Sequence, residues 1–237
     1  WTSMAHHANW IFCLVRTNKD VKPQAGISFL LIDMATPGII VTPIVSLDGE
    51  AEQCQVTFED VRVPIANLVG KENEGWTVAK YLLEFERGGQ NFTIDLKKQL
   101  RKLEQIIQSQ DSLVDNDPFF RSRIAEVQID IIALEQTELR IKGSAATGNN
   151  PGALSSLVKV AGTELGQTCA ELLIEAMGQA AMPRQIEALQ VHYSGQTAAP
   201  KEAVTTMAEY INSRSTTIYG GTAEIQRSII ARQILGL

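Results

Sequence analysis

Hydrophobic and polar positions follow two different periods along this chain. Residues 1–70 contain short runs rich in Val, Ile and Phe, separated by turn residues such as Pro37-Gly38 and Asp48-Gly49. Runs of this kind indicate antiparallel strands of a sandwich or barrel. The predicted strands are Trp10–Arg16, Gly26–Asp33, Ile39–Val45 and Gln55–Val63.

From Trp76 onward, apolar residues recur at spacings of three and four, which is typical of amphipathic helices. We predict helices over residues 76–109, 119–143 and 154–177, a loop over 178–201, a short helix over 202–212 and a last helix over Thr222–Leu235. Long helices with short connections pack as antiparallel bundles. The predicted fold class is therefore α+β: part of an antiparallel β-domain at residues 1–70, then an antiparallel four-helix-bundle domain at residues 71–237.

One acid interrupts the apolar pattern of the first helix. Helical spacing places Glu86 on one face with Ala79, Leu82 and Leu83, whereas Glu84 points the opposite way. Burial raises the pKa of a carboxylic acid, as a base that abstracts a proton near neutral pH requires. Alternatively, Glu86 pairs with a neighbouring arginine or lies at the edge of the apolar face.

Composition excludes several classes of function. The chain has 237 residues, a net charge of −6 and no basic block, which argues against nucleic-acid binding. Its three cysteines are scattered without a CxxC pair, and its histidines are an adjacent pair, His6-His7, and the distant His192, so neither a disulfide framework nor a metal site is predicted. Because we find no apolar run of membrane-spanning length and no signal peptide, we expect a cytoplasmic protein. The first residue is Trp1 rather than Met, so we expect part of a longer protein.

Four motifs in a fixed order carry a family resemblance. They are Trp1-Thr2-Ser3, the segment FEDVRVP at residues 58–64, Gly75-Trp76 followed by Glu86-Arg87, and the segment IYGGTAEIQR at residues 218–227. Together they resemble the acyl-CoA dehydrogenase family across essentially all of the chain. Two segments, Asp117-Pro118-x-x-Arg121 and Tyr219-Gly220-Gly221-Thr222, resemble those of a bacterial branch that includes large subunits of pimeloyl-CoA dehydrogenase type. The resemblance implies part of the family's middle β-domain and its whole C-terminal helical domain.

The resemblance also implies a reaction and a set of partners. The reaction is FAD-dependent α,β-dehydrogenation of an acyl-CoA thioester to the trans-2-enoyl-CoA. A carboxylate removes the α-proton, the β-hydrogen leaves as hydride to FAD, and an electron-transfer flavoprotein accepts the electrons. The implied assembly is a homodimer, a homotetramer, or an α2β2 complex with a second dehydrogenase subunit.

The base implied by the resemblance is Glu86. The family's best-known base is a glutamate in a Tyr-Glu-Gly-Thr motif, and Gly220 replaces it here. Members resembling isovaleryl- and long-chain-specific dehydrogenases instead place the base on the first C-terminal helix, before an arginine, where this chain has Glu86 and Arg87. The backbone N–H of Gly220 would still contact the thioester oxygen, although a Gly-Gly pair is equally typical of a plain turn.

Further residues are assigned by the same resemblance. Trp1 and Ser3 would lie against the flavin ring, and Thr222 and Glu224 would contact the adenosine–pyrophosphate half of FAD. Arg87 and Tyr219 would contact the substrate. Simpler interpretations are a core position for Trp1, helix capping for Thr222 and an ordinary first-turn acid for Glu224.

The family's Arg-x-x-Phe motif has no equivalent in residues 107–117. This departure, like Gly220, favours a second hypothesis, in which the chain is a non-catalytic subunit that completes a partner's FAD site. A third hypothesis is another flavin enzyme on the same scaffold, such as an oxidase or a monooxygenase.

Overall fold

The computed structural model of the protein describes most of the chain, namely residues 1–88, 91–108, 114, 116–148, 152–183, 185–197 and 204–237. For residues 84–88 and 189, it describes the backbone alone. Two compact units make up the chain, Trp1–Glu86 and Arg87–Leu237. The domain boundary after residue 70 stays a prediction.

The first unit is built on two three-stranded antiparallel sheets. The strands are β1 (Thr2–Ser3), β2 (Trp10–Arg16), β3 (Ile27–Asp33), β4 (Ile39–Ile44), β5 (Gln53–Phe58) and β6 (Leu68–Val69). Their orders in the two sheets are β1-β5-β4 and β2-β3-β6. The longest ladder joins β2 to β3, from Trp10 opposite Asp33 to Arg16 opposite Ile27. The predicted antiparallel β-region is therefore confirmed.

The strand predicted to reach Val63 ends earlier, at Phe58, so the prediction is wrong after that residue. Asp60 has a φ of 50°, a left-handed conformation that takes the chain out of the ladder. Just before it, the Glu59 amide donates to the Gly38 carbonyl at 2.9 Å. A Cβ at Gly38 would lie 2.1 Å from the Glu59 carbonyl oxygen, so this turn requires glycine.

Helix α1 (Gly75–Gly88) begins against the sheet at two hydrogen-bonded hydroxyls, one of them buried. Ser28 of β3 is fully buried, and its Oγ accepts a hydrogen bond from the Asn73 amide at 2.8 Å. Thr17 Oγ1 lies 2.7 Å from Ser28 Oγ and donates to Asn73 Oδ1, also at 2.7 Å. A Cβ at Gly75 would lie 2.4 Å from the Ser28 carbonyl carbon, so the helix starts in backbone contact with β3.

The second unit is a helical bundle. Its helices are α2 (Phe92–Gln108), α3 (Pro118–Ala146), α4 (Leu154–Met177), α5 (Thr206–Asn212) and α6 (Ala223–Ile230), the last continued by a π-helical turn over Ala231–Leu235. Short 3-10 helices occupy Gly178–Ala181, Ile186–Leu189 and Ser213–Thr217. Helix α4 packs against α2, α3, α5 and α6. Among the described helices, none combines the length and the apolar character needed to cross a bilayer.

Contacts between the long helices give their directions. Thr93 and Lys97 of α2 meet Glu138 and Glu135 of α3 in reverse order, so these two helices are antiparallel. A Cβ built at Gly162 of α4 would collide with Phe92 of α2, and one at Gly166 would touch Leu96, so α2 and α4 run parallel. This up-down-up arrangement confirms the predicted α+β fold class with a C-terminal antiparallel bundle.

The single helix predicted over residues 76–109 is wrong, because α1 ends at Gly88 and α2 begins at Phe92. Glycine is among the weakest helix formers, and Gly88 is the last residue of α1, whereas the described residue Asn91 is not helical. At the start of α2, Glu138 accepts hydrogen bonds from the Thr93 amide at 3.3 Å and the Thr93 hydroxyl at 2.5 Å. The Glu138 carboxylate of α3 thus accepts a hydrogen bond from an N–H at the start of α2 that has no acceptor within its own helix.

Two other helix boundaries also differ from the predictions. The short helix predicted over residues 202–212 begins at Thr206, and residues 198–203 lie outside the described part of the chain. The loop predicted over residues 178–201 contains two short 3-10 helices.

Helix α3 buries one face, and that face includes an acid. Its buried residues include five that the helical spacing places together: Ile124, Val127, Ile131, Leu134 and Glu138. Glu138 is only 4% exposed and lies on the same helix face as the four apolar residues.

We expect Ser28→Ala to lower the free energy of unfolding by about 1–3 kcal/mol, because it removes a fully buried hydroxyl and leaves the half-buried Asn73 amide without its acceptor. Urea unfolding of the full-length protein measures the change. Thr42→Ala, at an exposed position of β4, is the matched control. Equal losses for the two variants would contradict the role given to Ser28.

We expect Glu138→Ala to destabilise the protein by about 1–3 kcal/mol, and Glu138→Gln by less than half as much, because the amide oxygen still accepts from Thr93. Glu126→Ala, at an exposed position of the same helix, controls for the loss of an acid. If the Gln variant were as unstable as the Ala variant, hydrogen bonding to Thr93 would not be the reason Glu138 matters.

Candidate functional site

The turn Tyr219–Thr222 joins the 3-10 helix Ser213–Thr217 to α6 and gathers several predicted site residues. Gly220 and Gly221 have φ values of 65° and 86°, a left-handed conformation that favours glycine. Thr222 then caps α6, since its Oγ1 accepts a hydrogen bond from the Ile225 amide at 3.3 Å. Helix capping by Thr222 is therefore confirmed.

The amide of Gly220 is an unused donor. Within the described part of the chain, its N–H has no acceptor. The residue is exposed, and a Cβ built on it would meet no atom within 4 Å. A carbonyl oxygen that gains negative charge during a reaction is stabilised by a hydrogen-bond donor that is free and accessible, and among the described residues the Gly220 N–H meets both conditions.

Beside this turn lies a cleft of about 250 Å³ between α2, α4 and the segment 213–220. Phe92 and Leu96 contribute apolar surface, and Gln99 and Lys159 contribute polar groups. Tyr219 and Gly220 also line it. Because a Cβ on Gly162 of α4 would come within 2.3 Å of the Phe92 ring, glycine is needed for α2 and α4 to approach this closely.

Lys159 places a cation inside the cleft. The residue is 6% exposed, and its Nζ donates to the Thr216 carbonyl at 3.0 Å. Desolvation lowers the pKa of this ammonium, and the attraction of Glu224 opposes that effect. The lysine therefore interacts with both ends of the turn that carries Gly220.

Two buried amides complete the surroundings of the turn. Gln226 is 1% exposed, and its Nε2 donates to the carbonyls of Gly220 and Gly221 at 3.4 and 3.3 Å. In the cleft, Gln99 Oε1 is buried without a hydrogen-bond partner among the described residues. A ligand or water that donates a hydrogen bond would satisfy it.

Glu224 keeps a negative charge at the start of α6. Its pKa is lowered by hydrogen bonds from its own backbone N–H and from the Thr222 hydroxyl, with further contributions from Arg227 and Lys159. A carboxylate accepts hydrogen bonds and repels phosphate. The donor and acceptor set of this turn thus fits a carbonyl oxygen at Gly220 and sugar hydroxyls at Glu224, and fits a pyrophosphate poorly.

The structure brings four of the predicted site residues together, namely Tyr219, Gly220, Thr222 and Glu224. In the first unit, Trp1 is 88% exposed, and both interpretations of this residue stay predictions. Ser3 exchanges hydrogen bonds with the Gln53 side chain, whose Nε2 lies 3.0 Å from Ser3 Oγ. The side chains of Glu86 and Arg87 lie outside the described residues, so their roles stay predictions.

Lys159 and Gln226 were not predicted. The available signal for Lys159 is a cation between Val158 and Val160 on a largely apolar helix. Gln226 lies within the motif of residues 218–227, but the motif alone does not indicate that this glutamine is buried, because glutamine is common on exposed helix faces.

Comparison with known proteins identifies the family. A family model described as the C-terminal domain of acyl-CoA dehydrogenase matches residues 73–235. The chain is 32% identical over 241 residues to acyl-CoA dehydrogenase IpdE1 of Mycobacterium tuberculosis, covering 100% of this chain and 57% of that protein. It is 30% identical over 237 residues to acyl-CoA dehydrogenase FadE34 of the same organism, covering 100% of this chain and 30% of that protein. The chain thus spans little more than half of IpdE1, and less of FadE34.

Solved structures agree with this result. The ChsE4-ChsE5 complex from Mycobacterium tuberculosis contains a chain with a TM-score of 0.82 and 30% identity, covering 100% of this chain and 59% of that one. The Tcur3481-Tcur3483 steroid ACAD, at 23% identity and a TM-score of 0.83, covers 100% and 58% and shows a shared fold. The order of the motifs, the α+β fold and the match over residues 73–235 lead to one conclusion: this chain belongs to the acyl-CoA dehydrogenase family.

Proposed function

We propose that the full-length protein is an FAD-dependent acyl-CoA dehydrogenase that converts an acyl-CoA thioester to the trans-2-enoyl-CoA and passes electrons to an electron-transfer flavoprotein. The observation that carries this proposal is the Gly220 N–H, which has no acceptor among the described residues and lies on an exposed turn beside a cleft in a chain of this family. The cleft would receive part of the acyl-CoA, with Tyr219 in contact with it.

In this proposal, Gly220 acts through its backbone. When the α-proton leaves, negative charge develops on the thioester oxygen, and a donor already in place stabilises it without reorganising. Such a contact needs no side chain, so replacing the family's usual glutamate by glycine removes a base and keeps the donor. The base must then come from another element.

We assign the base to Glu86. The sequence places it on the apolar face of α1, next to Arg87, where burial would raise its pKa toward neutrality. A base of that pKa removes an α-proton efficiently at neutral pH. Arg87 would contact the acyl-CoA.

When bound, FAD supplies the acceptor for the β-hydride. Thr222 and Glu224 would hold its adenosine half, with the Glu224 carboxylate accepting hydrogen bonds from sugar hydroxyls. Trp1 and Ser3 would lie against the flavin ring; the exposure of Trp1 leaves its indole available for that contact.

A second candidate function is a non-catalytic subunit that completes the FAD site of a partner. Two departures from the family's motifs favour it, because Gly220 carries no carboxylate and residues 107–117 contain no Arg-x-x-Phe motif. The similarity to a ChsE4-ChsE5 complex fits a heteromeric assembly. The test is the FAD content of the protein purified alone: one FAD per subunit together with turnover of acyl-CoA would exclude this candidate.

We expect Glu86→Gln to slow reduction of the flavin by acyl-CoA by roughly 10²–10⁴-fold, because the amide cannot take the α-proton. Stopped-flow absorbance of the full-length protein measures the rate. Glu84→Gln, two residues away on the opposite face, is the control and should reduce flavin at the wild-type rate. Unchanged flavin reduction in the Glu86 variant would refute the assignment of the base.

The open space around Gly220 allows a second test of the base. We expect adding Gly220→Glu to Glu86→Gln to restore at least tenfold of the lost rate, despite a conformational cost of about 1–3 kcal/mol for a side chain at positive φ. Gly220→Gln in the same background has similar size but no basic carboxylate, and should restore nothing. Equal rates for the two double variants would show that this turn does not face the α-carbon.

A further inference from the structure

We propose that Lys159 and Gln226 are positioning residues that hold the turn Tyr219–Gly221 and thereby aim the Gly220 N–H. The inference rests on the function proposed for Gly220, and it gives roles to two buried polar residues to which neither the motifs nor the family match assigns one.

The turn needs support from outside because it has little of its own. Gly220 and Gly221 are consecutive, both have positive φ, and neither has a side chain that could pack. Glycine loses more conformational freedom on ordering than any other residue. The surroundings of Gly220 are open within 4 Å of a Cβ position, so no steric contact there fixes its amide.

Lys159 supports the turn from α4. Its Nζ donates to Thr216, whose carbonyl belongs to the last turn of a 3-10 helix and therefore needs a donor. Its charge is also attracted by Glu224, in the first turn of α6. One buried cation thus connects the residues that precede the turn with those that follow it.

Gln226 supports the turn from α6. Its Nε2 donates to both the Gly220 and the Gly221 carbonyls. The opposite amide orientation would point Oε1 at two carbonyl oxygens, so the hydrogen-bond geometry supports the assigned one. The two hydrogen bonds fix the orientation of the Gly220 and Gly221 carbonyls. They thereby restrict rotation about the backbone bonds of Gly220, which would otherwise change the direction of its N–H.

Variants at Lys159 separate hydrogen bonding from packing. Lys159→Gln keeps a donor for Thr216 without the charge, whereas Lys159→Met keeps the volume and loses the donor. Gln226→Met removes both hydrogen bonds to the glycines. Lys97→Met, in a part-exposed ion pair between α2 and α3, is the matched control.

The measurement is the infrared stretch of the thioester carbonyl of a bound enoyl-CoA, in the full-length protein with FAD. A hydrogen bond from Gly220 lowers this frequency relative to free enoyl-CoA. We expect Lys159→Met and Gln226→Met to lose at least half of the shift and to lower kcat by roughly ten- to hundredfold, with KM within threefold. Lys159→Gln and Lys97→Met should keep most of the shift.

The outcomes distinguish the two proposals. No shift in the wild-type protein would refute the function proposed for Gly220. A wild-type shift that both Met variants retain would refute the positioning role alone. If a Met variant is too unstable to bind enoyl-CoA, the test is the rate of amide hydrogen exchange in residues 218–223, compared between Lys159→Gln and Gln226→Glu. Faster exchange in Gln226→Glu than in Lys159→Gln supports the positioning role. Equal exchange rates in the two variants overturn it.

Discussion

The close packing of α4 on α2 is the constraint on which the helical unit depends. Gly162 lets the Phe92 ring approach the α4 backbone more closely than any side chain would permit. This contact sets the register of the two parallel helices and leaves the cleft beside them. It also places Lys159, less than one turn before Gly162, where its amine reaches the Thr216 carbonyl. A larger residue at position 162 would separate the helices and move the lysine away from the turn.

Buried polar groups join the ends of elements in both units. Ser28 holds the turn before α1, Glu138 holds the start of α2, and Lys159 and Gln226 hold the turn before α6. Each is almost fully buried and meets backbone groups that the ladders and helices leave unpaired. These contacts are directional, so they specify where a segment lies more narrowly than apolar packing does.

The proposed chemistry divides two tasks between two elements. A glutamate at position 220 would supply the base and the backbone donor together, but this chain offers only the donor there. The base is then free to lie on α1, and the turn is free to adopt the left-handed conformation that two glycines allow. The cost is that Gly220 has no side chain of its own to pack, which makes the hydrogen bonds that its neighbours give to the turn more important.

Local properties of the sequence determined much of this protein. The change from strand to helix period, the glycine turn and the Thr222 cap depend on neighbouring residues, and the structure agrees with them. Tertiary contacts decided the rest. The strand end at Phe58 depends on a turn with Gly38, and the start of α2 at Phe92 is held by Glu138, 45 residues away from Thr93. The contacts of Lys159 with Thr216 and of Gln226 with the two glycines exist only once α4 and α6 have packed, because burial and hydrogen-bond partners are set by distant residues.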